Sequence, residues 1–420
     1  MTEKRLYVAF CHPDLGLGGA ERLIVDAAVE VAERGHNVHV YTAYHDENRC
    51  FPETISGAFP VIQAGNWFPR SFNNRLHAFC AYVRCTLAAI WLAWCAYRQH
   101  KQYNVIIVDQ VSIVIPVLQL LTRSKVLFYC HFPDLLLAQR RSCAHSAYRA
   151  PLDYAEQATT GMADRLLVNS HYTQGIFAQT FTRLHARGVV PQVLYPAVQL
   201  PCDEDLRALC IHWQSEVSLE LGNFMRAGPL FVSINRFERK KGLPLAVKAL
   251  HELKRQGHPG GSLARLVVAG GYDKRLAENR EHFKEVQQLV TDLHMEDEVY
   301  LLPSFTDGQR AALLTACVGV LYTPQHEHFG IVPLEAMASG RPVIACNSGG
   351  PTESVLSGVT GFLCGPSPSQ FADAMGQLLD HDLANRMGGA ARMHVKQNFS
   401  RQVFGQQLLG ILANMTPATA

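Results

Sequence analysis

Short apolar runs alternate along this chain with longer stretches in which apolar residues recur every three or four positions. Leu6–Phe10, Asn37–Thr42, Tyr103–Asp109, Lys125–Tyr129 and Arg165–Val168 read as strands of a buried parallel sheet. Between them the spacing predicts an amphipathic helix with Leu23, Ile24, Ala27 and Val31 on one face, closed by Gly35. Further helices are expected over Ser112–Leu121, with Pro116 as a candidate kink, over Pro151–Ala163, and after a cap at Ser170–Thr173. The stretch PQVLYPAVQLPCDED from Pro191 breaks the alternation. Strands then resume at Leu230–Ile234, Ala264–Ala269, Glu298–Leu302, Gly319–Tyr322, Pro342–Ala345 and Gly361–Cys364. Helices are expected at Leu243–Leu253, Asp307–Ala316, Gln370–Leu379 and Gln402–Leu412. Alternation of this kind on both sides of a linker predicts an α/β chain of two doubly wound, Rossmann-like domains facing a cleft. Their expected limits are residues 1–195 and 196–400, with a C-terminal helix and tail over 401–420.

One segment departs from the alternation. Leu76–Tyr97 is the most apolar long stretch, but its uncharged part, Cys85–Tyr97, is 13 residues, or about 20 Å as helix against a hydrocarbon core of about 30 Å. Trp91, Trp94 and Tyr97, followed by Arg98, His100 and Lys101, suit a bilayer interface with anionic headgroups. The expectation is a helix partly in the domain and partly in the membrane surface; an ordinary core helix is the alternative. Composition narrows the class further. Apolar residues make up 48% and charged residues 18% of 420, and the net charge is +2, which argues for a folded globular protein and against a nucleic-acid partner. The 12 cysteines are scattered, without CxxC pairs or zinc spacing, as in a reducing compartment. Cys80, Cys85 and Cys95 read as packing residues. No signal peptide is read at MTEKRLYVAFCHPD. Asp203-Glu204-Asp205 has the DxD spacing of a metal site, but lacks an apolar strand before it and reads as a solvated acidic cluster.

The candidate chemistry gathers where strands end. Gly16, Gly18 and Gly19 follow the first strand in GxGG spacing, which differs from the dinucleotide pattern; they either let a backbone approach a ligand or form a tight turn. His131 lies just past the fourth apolar run, Lys125–Tyr129, after Cys130, so a thiol enzyme is also conceivable, although no partner spacing supports one. Arg236 and Lys241 follow Leu230–Ile234 in a loop that opens a helix, where two cations can neutralise a diphosphate. Gly270 and Gly271 end the next strand. Glu327 and Glu335 stand eight positions apart around an expected helix start at Phe329–Gly330, whose free N–H groups attract anions. Two carboxylates flanking such a start suit a ligand with sugars on both sides of a phosphate; two solvated glutamates have the same spacing.

GLGGAER, RFERKKG, VAGGYD and EHFGIVPLEA, the last containing the E-x7-E pair Glu327 and Glu335, resemble the retaining glycosyltransferases of family 4, which have the GT-B fold. With FYCHFPDLLL and YRAPLDYAEQATTGMADRLLVNS added, the likeness extends over about residues 6–400 and is narrower, to the α-1,3/1,6-mannosyltransferases of dolichol-linked oligosaccharide assembly, the N-glycan precursor pathway. The resemblance implies GDP-mannose as donor and a dolichyl-pyrophosphate-linked oligosaccharide, Man-GlcNAc2, as acceptor. It implies an α-1,3 and then an α-1,6 transfer at the cytosolic face of the endoplasmic reticulum, on membrane lipid, with other mannosyltransferases of the pathway as partners. It implies no cofactor and no metal. Arg236 and Lys241 would then hold the diphosphate and Glu335 the ribose. Glu327 and the backbone of Phe329, Gly330 and Ile331 would address the mannose, with Gly270 and Gly271 nearby. Gly18 and Gly19 would approach the donor from the other domain, and His131 would contact the sugar near the reacting carbon. The rivals are another nucleotide-sugar enzyme of the same fold, a different hexosyltransferase or an epimerase, and a silent scaffold subunit.

Overall fold

The computed structural model describes residues 5–72, 76–137, 143–202, 204 and 213–416. It divides into two units, Met1–Ala197 with Arg401–Ala420, and Val198–Ser400. In the first unit seven strands form one sheet: β1 (Tyr7–Leu15), β2 (Asn37–His45), β3 (Val61–Gln63), β4 (Val105–Asp109), β5 (Lys125–Cys130), β6 (Arg165–Val168) and β7 (Gln192–Val193). Their order is β3-β2-β1-β4-β5-β6-β7, and neighbours are parallel. The second unit holds β8 (Leu230–Ile234), β9 (Arg265–Gly270), β10 (Val299–Pro303), β11 (Gly319–Tyr322), β12 (Val343–Cys346) and β13 (Gly361–Cys364), again parallel, in the order β10-β9-β8-β11-β12-β13. Each order reverses at its first strand. The reversals lie between β1 and β4 and between β8 and β11, and their carboxyl ends are where doubly wound sheets take ligands.

The apolar runs of the sequence are these strands. Val8, Val105, Val126, Leu127, Val232, Val267 and Val320 are fully buried, as residues covered on both faces must be. Local side chains fix several helix starts: Ser170 Oγ accepts from the Thr173 amide, and Thr306 with Gln309 forms a capping box for the helix Asp307–Ala316.

Several expectations are corrected. β1 continues five residues past Phe10, because His12 and Asp14 stay in register with Thr42 and Tyr44 of β2, so the strand carries its polar residues to the end of the sheet. Pro116 sits in the first turn of Ile115–Thr122, after a 3-10 turn at Ser112–Val114, and so starts that helix and does not kink it. Pro151 lies inside a helix, Cys143–Thr160, that begins well before it. β3 and β7 are edge strands too short to show alternation, and the polar helices Ala277–Asp292 and His381–Asn398 were not anticipated. Asp203 and Asp205 of the acidic cluster lie outside the described residues. The C-terminal helix Arg401–Met415 belongs to the first unit. Phe404, Leu408, Ile411 and Leu412 join its core, and Arg401 Nε donates to Glu30 on the helix Gly19–Glu33 at 2.8 Å.

The segment of continuous apolar character is the helix His77–Arg98. Cys80, Arg84, Cys85, Ala88, Ala89, Leu92, Ala93 and Ala96 are buried in the first unit, while Phe79, Ile90, Trp91, Trp94 and Tyr97 are exposed. Among the described residues it is the one helix long and apolar enough to cross a bilayer. Its inner face is already core.

Candidate functional site

In the second unit β8 ends at Ile234 and the chain turns through Asn235–Glu238 into a 3-10 turn, Arg239–Lys241. Gly242 takes a left-handed φ of 62° and opens the helix Leu243–Gln256. The close approach of this turn to β11 explains the glycine: a Cβ there would stand 3.1 Å from the Thr323 carbonyl oxygen. Thr323 Oγ1 in turn donates to the Lys241 carbonyl at 2.7 Å. Lys241 is thereby held across the reversal, and its Nζ donates to Glu327 Oε2 at 2.5 Å. Arg236 is mostly exposed and pairs with Glu238 at 3.2 Å. Beside it the Asn235 Nδ2 is buried without a hydrogen-bond partner.

The loop after β11 carries Glu327 to a helix, Ile331–Ala338, whose preceding residue Gly330 has φ 84°. A side chain there would strike the Tyr322 hydroxyl at 2.8 Å. A turn after β12 clamps this loop. The Gly350 amide donates to the Glu327 carbonyl at 2.8 Å, and Cβ atoms on Gly349 or Gly350 would overlap the Glu327 and Phe329 backbone. Phe329 is buried, its ring 6.1 Å from that of Phe399. Burial, then the charge and hydrogen bond of Glu327, push the Tyr322 phenol far up and keep it protonated beside that carboxylate. Glu335 is paired with Arg310, which sequence reading did not single out. Gly270 serves packing: a Cβ would sit 1.7 Å from the Asn235 carbonyl oxygen, and one on Gly271 would be 3.3 Å from Arg236 Cγ. These glycines let β9 press on the cationic loop.

The first unit has its own cluster at the reversal between β1 and β4. Asp109, fully buried at the end of β4, accepts from His12 Nδ1 at 2.7 Å through Oδ1 and from His131 Nε2 at 3.1 Å through Oδ2. The other nitrogen of His12 faces the Asp14 carbonyl oxygen at 3.1 Å, so both ring nitrogens meet acceptors and the imidazolium is the form that fits. Burial alone would lower the His12 pKa. The charge and hydrogen bond of Asp109, with Glu21 behind them, reverse this and raise it to about 10. Burial would likewise raise Asp109, but the charge and hydrogen bond of His12, then His131, hold it below the usual carboxylate range. The His131 loop is tied down as well. Asn169 Nδ2 donates to the His131 carbonyl at 3.0 Å, and Glu156 accepts from the Asp134 and Leu135 amides at 2.7 and 3.0 Å. Cys130 is buried and burial raises its thiol pKa, which makes it inert.

Gly18 stands just before the helix Gly19–Glu33, where a Cβ would strike the Glu21 carboxylate at 2.2 Å; Gly19 has open space. Asp14, Glu21, Arg84 and Gln110, with Pro13, Ala43, Ala81 and Cys85, line a pocket of about 180 Å³ next to this turn. Among the described residues no group of three or more His, Cys, Asp or Glu has the arrangement of a metal site. Arg236, Lys241, Glu327, Glu335 and His131 stand out in the sequence as candidates. His12, Asp109, Arg310 and Asn235 do not. The signal for the first two was present, since each is a polar residue at the end of an apolar strand.

Comparisons with known proteins agree on one group. Two family models match: "Glycosyltransferase Family 4" over residues 17–214 and "Glycosyl transferases group 1" over 223–394. The chain is 46% identical to the α-1,3/1,6-mannosyltransferase ALG2 of Mus musculus over 406 residues, 96% of this chain and 94% of that one. It is 45% identical to the protein of the same name from Homo sapiens, with the same coverage, and 37% identical to that of Saccharomyces cerevisiae over 97% of this chain and 84% of the other. Among solved structures it is similar in fold to sucrose-phosphate synthase from Thermosynechococcus elongatus, with TM-score 0.73 and 21% identity over 98% and 99% of the two chains. Anabaena HepE in complex with UDP gives TM-score 0.70 and 20% identity over 97% and 100%. Both sheets described above are thus those of the GT-B glycosyltransferases.

Proposed function

The chain belongs to the α-1,3/1,6-mannosyltransferases of glycosyltransferase family 4, enzymes of lipid-linked oligosaccharide assembly, and from that premise we propose how it works and on what. The donor is GDP-mannose. The acceptor is a dolichyl-pyrophosphate-linked Man-GlcNAc2, which receives an α-1,3 and then an α-1,6 mannose with retention at the transferred carbon. The observation that carries this reading is the Lys241–Glu327 pair laid across the β8/β11 reversal beside a helix start. A diphosphate entering there takes Lys241 from Glu327 and meets Arg236 on the exposed side of the loop. Glu327, released, accepts hydroxyls of the mannose, while Glu335, oriented by Arg310, accepts those of the ribose.

Breaking the C1–O bond of the donor leaves charge on the β-phosphate. Arg236, Lys241 and the N-terminal end of the helix Ile331–Ala338 supply fixed positive potential for that charge. The acceptor oxygen bonds to C1 from the same face, and its proton passes to the departing phosphate oxygen, so atoms and charge balance without a base on the chain. In the first unit His131, fixed by Asp109, is the residue assigned to contact a sugar. The helix His77–Arg98 keeps its inner face in the first unit and lays its Trp91 and Trp94 side on the cytosolic face of the endoplasmic reticulum. All cysteines among the described residues are free, which suits that compartment.

The test is purified protein with GDP-mannose and the detergent-solubilised lipid acceptor, in buffer containing a chelator, with the products read by mass spectrometry. Two added hexoses are expected. Use of UDP-sugars in place of GDP-mannose, or no transfer, overturns the reading.

A further inference from the structure

The outer side of the helix His77–Arg98 is more than an exposed apolar face. Leu87, Ile90, Trp91 and Trp94 recur at helical spacing, and with Ala64, Gly65 and Trp67 of the loop after β3 they line a groove of about 300 Å³. Trp91 and Trp94 are stacked, with ring centroids 4.7 Å apart, so the wall is preformed. Gly65 brings the loop onto the helix: its φ is 93°, and a Cβ would stand 2.8 Å from the Arg84 carbonyl oxygen and 3.2 Å from Leu87 Cβ. Arg84, one turn before Leu87 but on the buried side of the helix, lines the neighbouring pocket with Asp14, Glu21 and Gln110. One helix therefore carries a pocket near its start and an apolar groove near its end.

Two arginines stand between. Arg84 Nη2 lies 3.1 Å and Arg70 Nη2 3.4 Å from the Asp14 carboxylate, and Arg70 stacks on Tyr44 at 4.0 Å. The two guanidiniums share the Asp14 carboxylate, and Arg70, 57% exposed, is the one open to a ligand. The Nε of Arg84, itself 4% exposed, is buried without a hydrogen-bond partner. Along this face the order is hydroxyl-binding polar groups, cation pair, apolar groove. A saccharide joined through pyrophosphate to an isoprenoid has the same three chemistries in the same order.

We propose that the groove of Gly65, Trp67, Leu87, Ile90, Trp91 and Trp94 takes the first part of the acceptor's isoprenoid chain, with the pyrophosphate at the exposed Arg70, which shares Asp14 with the buried Arg84, and the sugars at Glu21 and Gln110. This rests on the function proposed above and adds that the lipid is recognised by the protein, beyond holding the acceptor in a membrane. The groove binds chain length; the pocket binds what every acceptor shares.

The experiment compares two acceptors with the same saccharide pyrophosphate in detergent, one on a long isoprenoid and one on a short, water-soluble alkyl chain. The unaltered protein is expected to show a KM at least tenfold lower for the long chain. Trp91→Ala and Ile90→Ser are expected to remove that advantage while leaving kcat and the short-chain KM within about twofold. Tyr97→Ala, an exposed aromatic of the same helix outside the groove, is the control and is expected to keep the advantage. Loss of the long-chain advantage in Tyr97→Ala to the same extent assigns the effect to bilayer or micelle adsorption and overturns the groove. So does an equal KM for both acceptors in the unaltered protein. Transfer to neither acceptor overturns the proposed function itself, a result distinct from the other two. Melting temperatures of the variants, expected unchanged because these side chains are exposed, separate binding from folding.

Discussion

The two sheets reverse at equivalent places, and each reversal carries a cation against a carboxylate, yet the pairs differ in kind. His12 and Asp109 are completely enclosed, and every hydrogen-bonding direction of the His12 ring is occupied. Lys241 and Glu327 form one contact, with side chains 11% and 23% exposed. An enclosed ion pair is costly to break, because removing one member leaves a buried charge unpaired. The second pair is also largely covered, but it rests on a single hydrogen bond with part of Glu327 exposed, so a ligand of higher charge can take its place. We read the first pair as a fixed mount that orients His131, and the second as a placeholder whose cation waits for the diphosphate.

This contrast can be broken in several ways. Asp109→Asn leaves the His12 charge unpaired, and a loss of about 3–5 kcal/mol in unfolding free energy is expected from urea titration, together with lost transfer. Unchanged stability would show that the mount is dispensable. Lys241→Ala is expected to lower kcat/KM for GDP-mannose by about a hundredfold to a thousandfold, with an unaltered circular dichroism spectrum and little change in melting temperature. An unfolded variant would reverse the assignment of the two pairs.

The titration of His12 gives a smaller effect with a definite sign. Its folded pKa of about 10 lies above the unfolded value near 6.5, so its contribution is complete below about pH 6.5 and is lost as pH rises toward 10. Asp109, held below its usual range, contributes above its unfolded value and loses that contribution in acid. Unfolding free energy is therefore expected to fall between pH 7 and 10 with a slope of at most about 1.4 kcal/mol per pH unit from this one proton. His12→Gln should flatten that slope; an unchanged slope would place the titration elsewhere. The smallest effect belongs to Arg310→Ala. Its partly exposed pair with Glu335 is worth about 1 kcal/mol or less, so the KM for GDP-mannose is expected to rise by about fivefold with kcat unchanged.

Much of this site could be seen along the chain, but only in pieces. RFERKKG and EHFGIVPLEA are compact, so Arg236, Lys241, Glu327 and Glu335 stand out by chemistry and by their place after apolar runs. The partners do not. Glu335 and Arg310 lie on different helices, and nothing in the spacing of either helix pairs them. Asp109 joins His12, 97 positions earlier, to His131, 22 positions later, and local periodicity carries no information over such separations. Gly270 shows the opposite error. A glycine at a strand end suggests ligand approach, but here the approaching backbone is Asn235.

The sequence by itself determined which segments are strands, because a strand buried on both faces has to be apolar along its length, and it determined the residue types at their ends. It set apart the helix His77–Arg98 by hydropathy. Tertiary structure decided which strand ends are neighbours. β1 lies beside β4 and β8 beside β11 because each chain crosses over the sheet and returns on the other side of its first strand. That reversal, a property of the whole sheet, places His12 on Asp109 and Lys241 on Glu327. It also decided that one face of the apolar helix is core and the other a groove, since only packing against the sheet and Gly65 distinguishes residues that are equally apolar in the sequence.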